Sequence, residues 1–304
     1  NRAITEMPNY ELMVDSGLSL ADLEADIMGR EERFASSLAE KIPVAGRLIR
    51  ASGRGYTAFL NKLRADVFSD IQKKAEGLGI DLDENADLAK AMAKYVNAAT
   101  GRGSIGKLEP AAPILNAAFF SPRLMASRLS LLNPAFYVKL APLVRKEALK
   151  DLLSFTGIGL AVLGLASLAG AKIGTDPRSS DFGKIKIGDT RIDVWGGFQQ
   201  YARMIGQLTT GEYVSSVTGK KLTLGEGYKP LTRYDILQRQ IEAKEAPVLS
   251  FVTALLKGQG FTGEKINVPK EIGSRFVPMA VKDTVDLIKD DPSLWPLAPL
   301  GYLG

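Results

Sequence analysis

The chain has 304 residues, 45% of them apolar and 24% charged, with a net charge of +5; that suffices for one large globular domain or two smaller ones and is too apolar for a disordered chain. It has no cysteine, which excludes disulfides, thiolate metal sites and cysteine nucleophiles. It has no histidine either, so imidazole bases, Ser-His and Cys-His pairs and His-ligated zinc, iron or copper are excluded too.

What remains for catalysis is paired carboxylates, lysine, or Mg²⁺ held by Asp and Glu. An enzyme is therefore not the expected function. The sequence starts at Asn1 in polar text (NRAITEMPNYELM) and reads as a piece of something longer. Charge is unevenly placed: residues 101–150 hold eight Lys or Arg against two Glu, and the first fifty hold six against nine.

In chain order, a first helix is expected from Ser19, a candidate cap with Asp22 and Glu24 in its first turn and a stripe of Leu20, Leu23, Ile27, Phe34 and Leu38. Pro43 punctuates it. A glycine-rich stretch (Gly46, Gly53, Gly55) leads to a second helix, about Tyr56 to Glu76, with Phe59, Leu60, Leu63, Val67, Phe68 and Ile71 at helical spacing. The Gly77–Asp81 break ends it. A third runs from about Glu84 to Ala99 and closes at Gly101.

Gly101, Gly106 and Lys107 match the first part of a phosphate loop. The next residue is Leu108, so the Mg²⁺-binding hydroxyl is missing, and the preceding text is helical where a strand is needed. A loop joining two helices is the expected structure.

Five prolines (Pro110, Pro113, Pro122, Pro134, Pro142) cut the next stretch into short helices and turns. Ser121 before Pro122 and Asn133 before Pro134 are candidate N-caps. The basic residues Arg123, Arg128, Lys139, Arg145, Lys146 and Lys150 lie just ahead of an apolar run. They suit an anionic lipid surface or packaged DNA; a solvated cationic helix face is the plainer account.

That run is Leu152–Ala171, LLSFTGIGLAVLGLASLAGA, twenty residues without a charge. As a helix it spans roughly 30 Å, the hydrocarbon thickness of a bilayer. Nine of its residues are large and apolar and eleven are Gly, Ala, Ser or Thr, which makes it a marginal membrane span. Gly157, Ala161, Gly164 and Ala171 fall at helical spacing as a close-packing face. Each of its glycines costs about 1 kcal/mol in a helix in water, so something must pack against it. Two readings stay open: a helix buried on all sides of a soluble domain, or one that is protein-packed in one state and membrane-facing in another.

After Gly170 the text turns polar (TDPRSSDFG). Ile185 and Ile187 alternate with lysines, Gly188-Asp189 offers a tight turn, and Ile192, Val194 and Trp195 resume the alternation: a β-hairpin over about 184–195. A helix of about Phe198 to Leu208, a loop of Thr209 to Lys229, a helix from Thr232 interrupted at Pro247, and a last helix over Phe276 to Ile288 follow. The end, WPLAPLGYLG, is an apolar tail. The carboxylate pairs Asp176/Asp181 and Asp290/Asp291 sit in turn-like text where capping explains them.

The expected fold is mostly α: a multi-helix assembly with long helices around a Gly/Ala-rich apolar central helix, plus one small β-hairpin. Three regions are expected, 1–108, 109–174 and 175–304.

Read together, ATGRGSIGKLE (99–109), FFSPRLMASRLSLLNP (119–134), TDPRSSDFGKIKIGDTRIDVWGGFQQYARM (175–204) and FVTALLKGQGFTGE (251–264) resemble a helical region of very large bacteriophage proteins, of the large polyvalent protein-associated type. The resemblance covers roughly residues 95–304. It implies a non-enzymatic part of an internal virion protein, packaged in the capsid or tail lumen and ejected to help deliver the genome across the host envelope. It implies no catalytic, cofactor-binding or metal-binding residues. The implied partners are further copies of the chain, other virion proteins near the tail or portal, genomic DNA and, after ejection, the host membrane. The alternatives are a helical scaffold with no membrane step, a membrane-associated protein unrelated to phage, and an enzyme domain using carboxylates or Mg²⁺.

Overall fold

In a computed structural model, residues 2–20, 45–119, 121–188, 190–216, 218–227, 230–245 and 255–256 are described. Helix dominates them. In chain order these are α1 (Arg2–Thr5), α2 (Tyr10–Asp15), α3 (Ala45–Glu76), α4 (Ala86–Ala99), a 3₁₀ segment (Gly106–Ala111), α5 (Ala112–Ala118), α6 (Pro122–Leu132), α7 (Pro134–Val138), α8 (Pro142–Leu168), α9 (Gln199–Thr210) and α10 (Arg233–Glu242).

Their ends follow local chemistry. The Asn85 side chain accepts from the Leu88 N–H to start α4, and Gly101 takes φ +88 just past its end. Asn133 caps α7 by accepting from the Ala135 N–H. Thr232 and Asp235 form a full capping box at α10. Ser121 differs from expectation: α6 does start at Pro122, but Ser121 sits at φ +46 and its side chain makes no cap bond.

The expected glycine break before the second helix is absent. Gly46, Gly53 and Gly55 lie inside α3; a helix interior tolerates glycine at about 1 kcal/mol each, which tertiary packing can offset. Phe59 and Leu63, expected in the core stripe, are exposed, while Thr57, Asn61, Arg64, Ala65, Phe68 and Ile71 are buried. Arg64 turns that face inward. It is fully buried, with Nε donating to Thr100 Oγ1 (2.9 Å), Nη2 to the Thr100 carbonyl (3.2 Å) and Nη1 to the Ser19 carbonyl (3.2 Å). Residues 17–19 are further held by Asn97, which donates to the Gly17 carbonyl and accepts from the Ser19 N–H.

One hydrophobic core joins Met13 and Leu18, Phe68 and Ile71 of α3, Met92 and Val96 of α4, Tyr137 of α7, and Val144 and Ala148 of α8. The described residues 17–20 are not helical. The rest of the helix expected from Ser19, the continuation past Pro247 apart from the helical, exposed Leu255 and Leu256, the helix over 276–288 and the apolar tail lie outside the described residues.

The hairpin forms with the expected register. β2 (Lys184–Ile187) pairs antiparallel with β3 (Thr190–Asp193), Ile187 opposite Thr190, and Gly188 takes φ +57 in the turn. A two-residue strand, β1 (Lys172–Ile173), adds to β2. Alternation puts Ile173, Ile185 and Ile192 in one row and Lys172, Lys186 and Arg191 in another, the two rows facing opposite sides. A second ladder was not expected: β4 (Glu212–Val214) and β5 (Lys221–Thr223) pair antiparallel within the stretch read as a loop.

Candidate functional site

The first part of α8 belongs to the core. Val144 and Ala148 are buried. Glu147 pairs with Lys74 at 2.5 Å, and the Tyr95 hydroxyl donates to Asp151 Oδ2 at 2.6 Å. Burial, then the Asp151 carboxylate, pushes the Tyr95 hydroxyl well above the usual tyrosine range.

Beyond Asp151 the helix leaves the core just where it becomes most apolar. Of residues 152–168, Gly159 and Leu163 are buried, and 11% of the most apolar window is inside the protein. Leu153 is 72% exposed, Ile158 67%, Leu165 67% and Leu168 87%. At 100° per residue these leucines and isoleucines, with Leu160, cover an arc of about 160°. Gly157, Ala161 and Gly164 lie in the middle of that arc and are exposed too. A helix buried on all sides is therefore not what this chain builds. Ala171, expected on the same face, lies past the end of the helix, between Gly170 at φ +91 and β1.

The opposite face carries the protein contacts. The glycine that permits close approach is Gly159: a Cβ there would lie 2.4 Å from the Trp195 ring. The Trp195 Nε1–H donates to the Gly183 carbonyl at 2.9 Å. Phe155 meets Trp195 edge-on at 5.8 Å between centroids and Phe198 at 5.6 Å. Trp195 thus rivets the sheet to α8. A cleft of about 830 Å³ opens beside this cluster, with Leu131, Leu152, Phe155, Leu160, Trp195 and Phe198 in its apolar wall. Arg128 lines it as well, its guanidinium carbon 4.2 Å from the Phe198 ring centroid; burial lowers its pKa.

The six basic residues expected to act as one patch divide. Arg123 pairs with Glu109 at 2.7 Å. Arg128 is in the cleft. Arg145 donates to the Val138 and Leu140 carbonyls, holding the α7–α8 turn. Lys139, Lys146 and Lys150 are exposed, the last two at i, i+4 on α8. The sequence offered no means of telling the structural arginines from the exposed lysines. Neither did it mark Gly159, Trp195 or Phe198, which meet only in three dimensions.

The phosphate-loop lookalike is a packing device. The Gly103 N–H donates to Ser127 Oγ at 2.7 Å, and a Cβ on Gly103 would lie 2.4 Å from the Ser127 nitrogen. Each carboxylate of the first pair is engaged by an arginine. Asp176 accepts from Arg178 Nε and Nη2 at 2.9 and 2.7 Å, and Asp181 accepts from Arg191 at 2.6 Å. Arg178 also pairs with Glu212. Asp290 and Asp291 lie outside the described residues.

No protein-family model, curated protein or solved structure matches the chain. The phage resemblance accordingly rests on the four sequence segments alone.

Proposed function

We propose that the chain is a non-enzymatic structural module of a large virion protein that presents the exposed arc of α8 to a lipid bilayer and to further copies of itself during genome delivery. The single observation that carries the membrane part is that arc: Leu153, Ile158, Leu160, Leu165 and Leu168 exposed on one side of a helix whose other side is packed. An apolar face of this extent on a lone chain marks a membrane or protein contact. Cations flank it. Lys146 and Lys150 precede it, and the Lys172–Lys186–Arg191 row follows at the far end, where basic groups favour anionic headgroups. The virion setting is proposed from the sequence resemblance.

The small residues in mid-arc favour a second reading, a helical scaffold docking other chains with no membrane step, since Gly157 and Gly164 allow another helix backbone to approach closely.

The test is flotation of the purified chain with anionic vesicles, beside Gly164→Asp. Nothing lies within 4 Å of a Cβ on Gly164, so the variant should fold, which circular dichroism checks. Wild type is expected to float and the folded variant to stay down, a buried charge costing about 3 kcal/mol on insertion. Wild type that does not float removes the bilayer and leaves the scaffold.

A further inference from the structure

Among the described residues, Arg128 is the one cation lining the cleft. Its guanidinium keeps its charge at any physiological pH and has five N–H donors to satisfy. Among the described residues no hydrogen bond or ion pair engages it; its one close partner is the face of Phe198. Tyr201 and Tyr56 are the titratable groups near enough to act on it, and neither is a carboxylate. The carboxylate in the cleft wall, Asp151, is already accepting from Tyr95. A half-buried cation without an anionic partner is costly, whereas Arg123, a little over one turn earlier on the same helix, has Glu109.

The rest of the wall is mostly apolar, and about 830 Å³ falls within the size of sites that hold small organic molecules. Leu160 and Gly164 belong to the cleft wall and are exposed on α8, so the cleft is continuous with the apolar surface. Its chemistry asks for an apolar chain attached close to one anionic group.

We propose that this cleft binds an acidic phospholipid, with the phosphate on Arg128 and an acyl chain against Leu152, Phe155, Leu160 and Trp195. The assignment rests on the bilayer reading for the source of the lipid and on the cleft alone for its binding.

The test uses the full chain carrying Trp295→Phe, which leaves Trp195 as the single tryptophan. Its emission is followed while dodecyl phosphate, below its micelle concentration, is added; dodecyl maltoside serves as the neutral control. The expected result is saturable binding of dodecyl phosphate at least tenfold tighter than of the maltoside. Arg128→Gln should weaken the phosphate by about 10- to 100-fold, the worth of a charge-assisted hydrogen bond, and leave the maltoside unchanged. Arg128→Lys should fall between. Equal affinity of the two amphiphiles for wild type overturns the proposal without reference to any variant. So does a folded Arg128→Gln chain that binds dodecyl phosphate like wild type. Dodecyl phosphate bound through Arg128 by a chain that does not float with vesicles supports the cleft and removes the bilayer step.

Discussion

Gly157 and Gly159 are two residues apart on one helix and should answer the same substitution with opposite signs. A Cβ on Gly159 meets the Trp195 ring, while one on Gly157 or Gly164 meets nothing within 4 Å. Gly159→Ala is therefore expected to destabilise by about 1–3 kcal/mol through overpacking. Gly157→Ala is expected to stabilise by about 0.5–1 kcal/mol from backbone entropy. Chemical denaturation of the variants reads both. Arg64 tests the core in the same way: Arg64→Leu strands the Ser19 and Thr100 carbonyls and should cost roughly 2–3 kcal/mol. The loop before the hairpin offers a pH test. Hydrogen bonds from the Arg178 side chain hold Asp176 at a pKa of about 2. That is below the value of an unfolded aspartate, so the contribution to stability is complete above the usual carboxylate range and is lost as pH falls through about 2. NMR titration of the Asp176 carboxyl carbon should show the low midpoint, and a midpoint near 4 would contradict the Arg178 clamp.

At the scale of elements, α8 does two jobs in sequence. Its first turns supply Val144 and Ala148 to the core, and its later turns supply an apolar surface. The helical part of the apolar run, residues 152–168, measures about 25 Å, short of a full hydrocarbon core of about 30 Å. Its end is fixed by Gly170 in the left-handed region and by the turn into β1. The sheet beyond it carries a mismatch: Lys172, Lys186 and Arg191 stand opposite one another across three strands, and like charges so placed repel. Asp181 relieves Arg191. Lys186→Thr should stabilise the sheet by about 0.5 kcal/mol and weaken flotation with anionic vesicles, because one of the cations proposed to meet the headgroups is gone. A variant that is stabilised yet floats as well as wild type would show that the row faces something other than lipid.

For the whole molecule, the unusual feature is that the most apolar stretch lies outside the hydrophobic core. Burying a large apolar side chain contributes about 1.5–3 kcal/mol, and five such residues in one arc make self-association the expected behaviour of the chain in water. Sedimentation should show oligomers that dissociate on dilution. Ile158→Lys with Leu165→Lys, both sites 67% exposed, should yield a monomer whose unfolding free energy is within about 0.5 kcal/mol of that of wild type diluted to its monomer. A monomeric wild type would contradict the reading of the arc as a contact surface.

The helical class, the helix starts at Asn133 and Thr232 and the register of the 184–193 hairpin were legible in the sequence. Each is governed by residues within a few positions of one another, through caps, prolines and alternation. The sequence also marked Leu152–Ala171 as the stretch needing a partner, from composition alone. It placed Val67, Phe68 and Ile71 of α3 correctly toward the core but Phe59 and Leu63 wrongly, because Arg64 is buried by bonds to Ser19 and Thr100, distant in sequence. It missed the β4–β5 ladder, whose three-residue strands carry too little alternation to register. Which glycine of the apolar run is packed, which arginine lines the cleft and which face of α8 is left open depend on tertiary structure. Those outcomes depend on where Trp195, Phe198 and Glu109 come to rest, and packing between distant segments leaves no periodic trace in the chain.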